Sequence, residues 1–212
     1  MKTDDLIRAM AADAGHRAMP VRRAWLLAGL AAVLLAGGTF LAALGPRPDA
    51  LQSLESVRYL FKFSVTLALA ASAFAVLRAR ARPEGGPRRL ALWLALAPTL
   101  LLAAVLLELS AVPEADWGAR LIGTNSTVCL TFIPLIGIGP LAVFLLALRH
   151  GAPTRLAQAG ALAGLMAGGL AGAFYAAHCP DDSPLFVAVW YSLAIAGLAG
   201  LGALLAPRIA RW

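Results

Sequence analysis

Between residues 24 and 205 the chain alternates between long apolar runs and short polar breaks. Six runs stand out: Ala24–Leu44, Tyr59–Leu77, Leu90–Leu109, Thr124–Leu148, Ala157–Ala177 and Leu185–Leu205. Each holds roughly 20 residues, which as a helix rising 1.5 Å per residue crosses about 30 Å of hydrocarbon. Backbone N–H and C=O groups find no water in that layer, so a run of this length is read as a helix that satisfies them internally. Prolines and glycines fill the gaps, in GPRP (45–48), RPEGGP (82–87) and APT (152–154). The expected fold is an all-α membrane protein of six transmembrane helices. Three parts follow: a segment at 1–23, a helical domain at 24–205 and a short tail at 206–212.

Charge sets the orientation. Of the 18 Lys and Arg residues, all but Arg47, Arg58, Lys62 and Arg120 lie in the terminal segments or in the loops after the second and fourth runs. The positive-inside rule then places both termini in the cytoplasm. Glu108, Glu114, Asp116, Asp181 and Asp182 all fall on the opposite side. The first run is longer than a secretory h-region and is preceded by 23 residues, so it is read as retained rather than cleaved. The net charge of +7 is split among short loops and builds no continuous basic surface, which argues against direct nucleic-acid binding.

Inside the runs the pattern predicts packing. Gly160, Gly164, Gly168 and Gly172 recur every four residues and line one face of the fifth helix, the signature of close helix approach in lipid. Packing within one bundle is the first expectation and a homodimer seam the second. Pro134, Gly137, Gly139 and Pro140 predict a kink or local unwinding in the fourth helix. Asp49 is a candidate N-cap with Gln52 three residues on, which predicts a second helix starting as early as Ala50. Lys62 and Glu108 sit near the outer ends of their runs, where long side chains are expected to snorkel to water. Trp117 and Trp190 suit the interfacial belt.

The chemistry-bearing residues are few. No ionisable side chain stands at mid-membrane, where a transporter holds its coupled ion. No Ser-His-Asp set, phosphate loop or His cluster is present, so an enzyme is not expected. The stretch AAHCPDDSPLFVAVWYS (176–192) is different: it carries one of only two cysteines. Cys179 lies 24 residues after Arg155 and Cys129 lies 20 before Arg149, about 36 and 30 Å of helix rise respectively. Both therefore fall at the outer face, on successive antiparallel helices. A disulfide or reactive dithiol is one reading there, in an oxidising compartment; a small buried packing residue is the other. With His178, Asp181 and Asp182 nearby the thiols could complete a soft-metal site. The alternative is a polar loop in which Asp182 or Ser183 caps the sixth helix and Pro184 opens it.

The opening MKTDDLIRAMAADA reads as a short amphipathic helix. Thr3 is its candidate cap, Asp4 and Asp5 favour its dipole, and Leu6, Ile7, Met10 and Ala14 form one apolar face. About 12 residues are marginal alone in water, so this helix needs a partner surface: membrane, inner loops or another protein.

Taken together, MKTDDLIRAMAADA, RHGAPT (149–154), GALAGLMAGGLAG (160–172), YAAHCPDDSPLFVAVWY (175–191) and the terminal RIARW resemble the NrsF-type membrane anti-sigma factors, a six-span family of the bacterial inner membrane. The resemblance implies sequestration of an extracytoplasmic-function sigma factor, with release under metal or oxidative stress. It implies that Cys129 and Cys179 are the sensing pair, with His178 a further ligand if a soft metal ion is the signal, and that no cofactor is required. It also implies that Asp4, Asp5, Leu6 and Ile7, with Met10 on the same face, dock the sigma factor. A change in the link between the cysteines would then slide the fourth and fifth helices along the glycine stripe. The competing class is a small polytopic transporter or metal exporter. The particular sigma factor, the stimulus and the oligomeric state are not written in the chain.

Overall fold

The computed structural model describes residues 3–5, 7–8, 20–81 and 88–210. Six helices in it are long and apolar enough to cross a membrane: α1 (Val21–Ala43), α2 (Val57–Arg80), α3 (Arg89–Ala111), α4 (Ser126–His150), α5 (Leu156–Ala176) and α6 (Pro184–Ile209). These coincide with the six apolar runs to within a few residues. Short helices at Ala50–Ser53 and Glu114–Ile122 lie in the connections.

α5 is the axis of the bundle. Of its most apolar stretch 78% is buried, against 6% for α3, which sits on the rim. α6, α2 and α4 pack around α5, and α1 lies against α4. The glycine stripe explains the tightness. A Cβ on Gly160 would stand 2.1 Å from the Gly202 carbonyl oxygen, and one on Gly164 would stand 2.2 Å from that of Leu198. Backbone therefore meets backbone, and dispersion with weak Cα–H···O contacts holds the pair. The stripe is spent inside one chain, and Gly160, Gly164 and Gly168 face α6. The expected sliding surface between α4 and α5 is therefore not what these glycines form.

At the end that carries the termini, Trp25 of α1 stacks on Phe144 of α4 at 6.4 Å and meets the edge of Phe74 of α2 at 6.1 Å. The Ala152 N–H donates to the Ala81 carbonyl at 2.8 Å, joining the connections after α2 and α4.

Two helical expectations need correction. α2 does not start at Ala50. The chain makes one turn at Ala50–Ser53, breaks, and restarts at Val57 after Ser56 in extended geometry. The Asp49 carboxylate caps nothing, because it faces Arg47 Nε at 3.2 Å. Of the two alternatives expected for α4, local unwinding does not occur, since α-helix continues from Ser126 to Ala147 through both Pro134 and Pro140. The irregular helix is instead α6. Ser183 caps it by accepting the Leu185 N–H at 3.2 Å, Pro184 takes the first turn, and a π-helical segment follows at Val187–Tyr191. Such π segments are single-turn insertions that recur at functional sites.

Candidate polar site around the second cysteine

Opposite the termini, the α1–α2 and α3–α4 connections converge on the heptapeptide between α5 and α6, Ala177–Ser183. The Arg47 N–H donates to the Ala177 carbonyl at 3.0 Å, and His178 Nδ1 bonds the Gly45 carbonyl at 3.0 Å. The Cys179 carbonyl accepts twice, from Lys62 Nζ at 2.7 Å and from Arg47 at 3.2 Å. The Asp182 carboxylate pairs with the same two cations, Lys62 at 2.6 Å and Arg47 at 3.3 Å. Arg47 is further held by the Ser53 hydroxyl and lies over the Tyr59 ring, 4.6 Å from its centre.

Asp181 serves another element. Its carboxylate accepts the Asn125 N–H at 2.8 Å and the Thr124 N–H at 3.0 Å, satisfying donors at the start of α4. The preceding Gly123 has φ +60°, and a Cβ there would be 2.5 Å from the Phe186 ring. Only glycine fits that turn. Ser183 reaches a third element: its hydroxyl donates to Glu108 Oε1 at 3.1 Å, and Glu108 also pairs with Arg120 at 2.9 Å and Arg58 at 3.0 Å. Trp190 Nε1 donates to the Leu121 carbonyl at 2.8 Å, and Trp117 Nε1 to that of Val112 at 3.0 Å.

Lys62 and Glu108 thus do not snorkel. Lys62 is 0% exposed, and the Glu108 side chain 3%. A buried charge is tolerated only when paired and hydrogen-bonded, and both are. Sequence reasoning missed this network. Its signal was the presence of Lys62 and Glu108 inside apolar helices, on the side where cations are scarce.

Both cysteines are free thiols with 0% exposure. Cys129 lies in the first turn of α4, its N–H bonded to the Asn125 carbonyl at 2.8 Å. The Cys179 thiol points to the Asp181 carbonyl at 3.8 Å. Burial pushes the Cys179 thiol above its ordinary pKa; the nearby Lys62 ammonium pulls against this without cancelling it. Around the thiol stand Tyr175 and Tyr191, with rings 5.6 Å apart. Neither hydroxyl makes a hydrogen bond of ordinary geometry among the described residues, although that of Tyr191 lies close enough to favour a Cys179 thiolate. His178 is oriented by the bond of its Nδ1 to the Gly45 carbonyl. Among the described residues no three His, Cys, Asp or Glu side chains are grouped to hold a metal ion.

Of the expected docking residues, Asp4 and Asp5 are helical and exposed and Ile7 is 58% exposed, whereas Leu6 and Met10 lie outside the described residues.

A family model described as negative regulator of sigma F, NrsF, matches residues 10–212. The chain belongs to that family. It is 36% identical over 220 residues to the anti-sigma-F factor NrsF of Caulobacter vibrioides, with all of both chains covered. It is 33% identical over 217 residues to the probable anti-sigma-F factor NrsF of Azospira oryzae, again over both full chains. No solved structure matches it. The converging loops, α4, α5 and α6 all fall inside the matched NrsF region, whereas Asp4, Asp5, Leu6 and Ile7 precede it.

Proposed function

We propose that this chain is a membrane-embedded anti-sigma factor of the bacterial inner membrane, with both termini cytoplasmic. It holds a sigma factor of the extracytoplasmic-function class and releases it when the environment of Cys129 and Cys179 changes under metal or oxidative stress. Membership of the NrsF family over residues 10–212 carries this reading. The charge asymmetry of the loops supports the orientation. The exposed acidic start and the uncovered Ile7 suit a helix laid in a groove of the partner, Asp4 and Asp5 toward basic residues and Leu6, Ile7 and Met10 toward apolar ones.

The polar site supports the sensing role. Two thiols are shielded from water in the resting arrangement, and the backbone of one is the acceptor for Lys62 and Arg47. Oxidation, or capture of a soft ion by the two thiols, moves the Cys179 segment. That movement unseats Lys62, and α2 carries the change to the 78–89 loop at the opposite end. In two-state terms, the stimulus favours whichever arrangement exposes the thiols.

The test is co-purification from membranes. The sigma factor should be retained with the intact chain and released on treatment with oxidant or soft metal. Cys129→Ser and Cys179→Ser should retain it without release. Replacing Asp4 and Asp5 together by Lys should weaken retention in all conditions. Cysteine variants that still release their partner would reject the sensing role; a chain lacking residues 1–14 that still binds fully would move the docking site, with the 78–89 loop next to be examined.

A further inference from the structure

α3 stands on the rim of the bundle and touches α2, and a cleft runs beside that contact between α3, α2, α5 and α6. Two cavities of about 280 Å³ each make up this cleft, and both are lined by Leu94 and Leu165, so they adjoin. The deeper one reaches Val65, Ile195 and Tyr191 between α2 and α6. The other opens at the end that carries the termini, between Arg80 at the close of α2 and Arg155 at the start of α5, with Thr154 and Gln158 beside them. From Arg80 to Val65 along α2 the rise is about 22 Å. That exceeds the depth of one leaflet, about 15 Å as half of a 30 Å hydrocarbon core.

The two ends of this cleft have opposite chemistry. Its body is apolar and open sideways to lipid past α3, of which little is buried. Its mouth has two guanidinium groups, and among the described residues neither Arg80 nor Arg155 has an ion-pair partner. Planar guanidinium forks with a neighbouring hydroxyl and amide match a phosphodiester, and basic pockets between helices at a membrane face select acidic headgroups. A free anion would leave the apolar length empty, and an uncharged lipid would leave the arginines unmatched.

We propose that this cleft binds an anionic phospholipid, with its phosphate between Arg80 and Arg155 and one acyl chain along α3 past Leu94 and Leu165. The phosphate end of this site lies at the opposite end of the bundle from Cys179, and its deep end stops at Tyr191, the ring that stands beside that thiol. The site makes the grip of α3 on the bundle depend on lipid composition, since the acyl chain fills the space that α3 does not close.

The experiment uses the full chain, delipidated in detergent, with thermal unfolding followed as phosphatidylglycerol, phosphatidylcholine or inorganic phosphate is added. Phosphatidylglycerol should raise the midpoint in a saturable manner, as expected for a ligand that binds the native state. Phosphatidylcholine should require about tenfold more lipid, and phosphate should do nothing. Arg80→Gln with Arg155→Gln should weaken the phosphatidylglycerol response by about tenfold or more, given about 1 kcal/mol per arginine near an anionic surface. Leu165→Phe, which fills the junction of the two cavities while leaving both arginines, should abolish it. Equal responses to the two lipids would overturn the proposal, as would a response that survives the arginine exchange or a full response to phosphate alone. No response to any lipid would also overturn it and leave the cleft to a segment of the chain itself.

Discussion

Lys62 and Asp182 offer a quantitative test because their surroundings are unequal. Lys62 is fully buried and has two acceptors, the Asp182 carboxylate at 2.6 Å and the Cys179 carbonyl at 2.7 Å. Asp182 is 21% exposed and keeps Arg47 at 3.3 Å if Lys62 is removed. Asp182→Asn therefore leaves a buried ammonium with no counter-ion, and the cost should approach the 3–5 kcal/mol typical of a broken buried pair. Lys62→Met removes the cation but keeps the stem, and leaves a carboxylate that is still paired and partly wet. Its cost should be about 1–2 kcal/mol, from the lost charged hydrogen bonds. The double variant should be no worse than Asp182→Asn alone, because the stranded charge is gone, giving a coupling of about 1–3 kcal/mol. At roughly 2–4 °C per kcal/mol for a chain of this size, thermal unfolding in detergent should separate the variants clearly. If Lys62→Met proves as costly as Asp182→Asn, or if the effects simply add, the buried-ammonium account is wrong.

Three further outcomes follow from the geometry. Gly160→Ala would force a Cβ against the Gly202 backbone and should sharply lower the yield of folded protein in membranes, whereas Gly197→Ala, with nothing within 4 Å, should be neutral or stabilise by about 0.5–1 kcal/mol through helix propensity; equal yields would contradict the close α5–α6 contact. Asp181→Ala should cost about 1–2 kcal/mol by removing the acceptor of the Thr124 and Asn125 N–H groups just before α4, and hydrogen exchange should rise at Thr124 and Asn125 before it rises elsewhere. Because burial raises the Cys179 pKa, the native thiol remains protonated where an unfolded one, near 8.5, has begun to ionise. Its contribution to stability is therefore complete below about pH 8.5 and lost as pH rises through the higher native value. Alkylation of native Cys179 by maleimide should accordingly be slow at pH 7 and accelerate at more alkaline pH than for an exposed thiol; fast labelling at pH 7 would refute this.

The six helices were legible because membrane thickness imposes one length and one polarity on every span. The Ser183–Pro184 start of α6 was legible for a similar reason, being a local cap followed by a residue suited to the first turn. The break before Val57 was not, because Asp49 looks like a cap until Arg47, two residues earlier, takes its carboxylate. Nor was the fate of Lys62 and Glu108 visible: an ionisable residue near the end of a span can reach water or be sealed by partners, and the partners of Lys62 lie over a hundred residues away. The glycine stripe announced close packing, but its neighbour depended on how the helices are arranged. The cleft behind α3 had no linear signature, since four helices and two separate arginines make it.

The Ala177–Ser183 segment also sets a schedule for biosynthesis. Lys62 enters the membrane when α2 is inserted, yet its acceptor carbonyl at Cys179 is 117 residues further along and has not been synthesised. The same holds for Arg47, 132 residues ahead of that carbonyl, for Glu108, 75 ahead of Ser183, and for Thr124, 57 ahead of Asp181. Until the ribosome has reached Cys179, Lys62 has neither of its acceptors, whereas Glu108 already has Arg58 and Arg120. The polar site therefore closes late in synthesis, after α5 has been made, and a chain ending before Cys179 leaves the Lys62 ammonium without the acceptors that let α2 bury it.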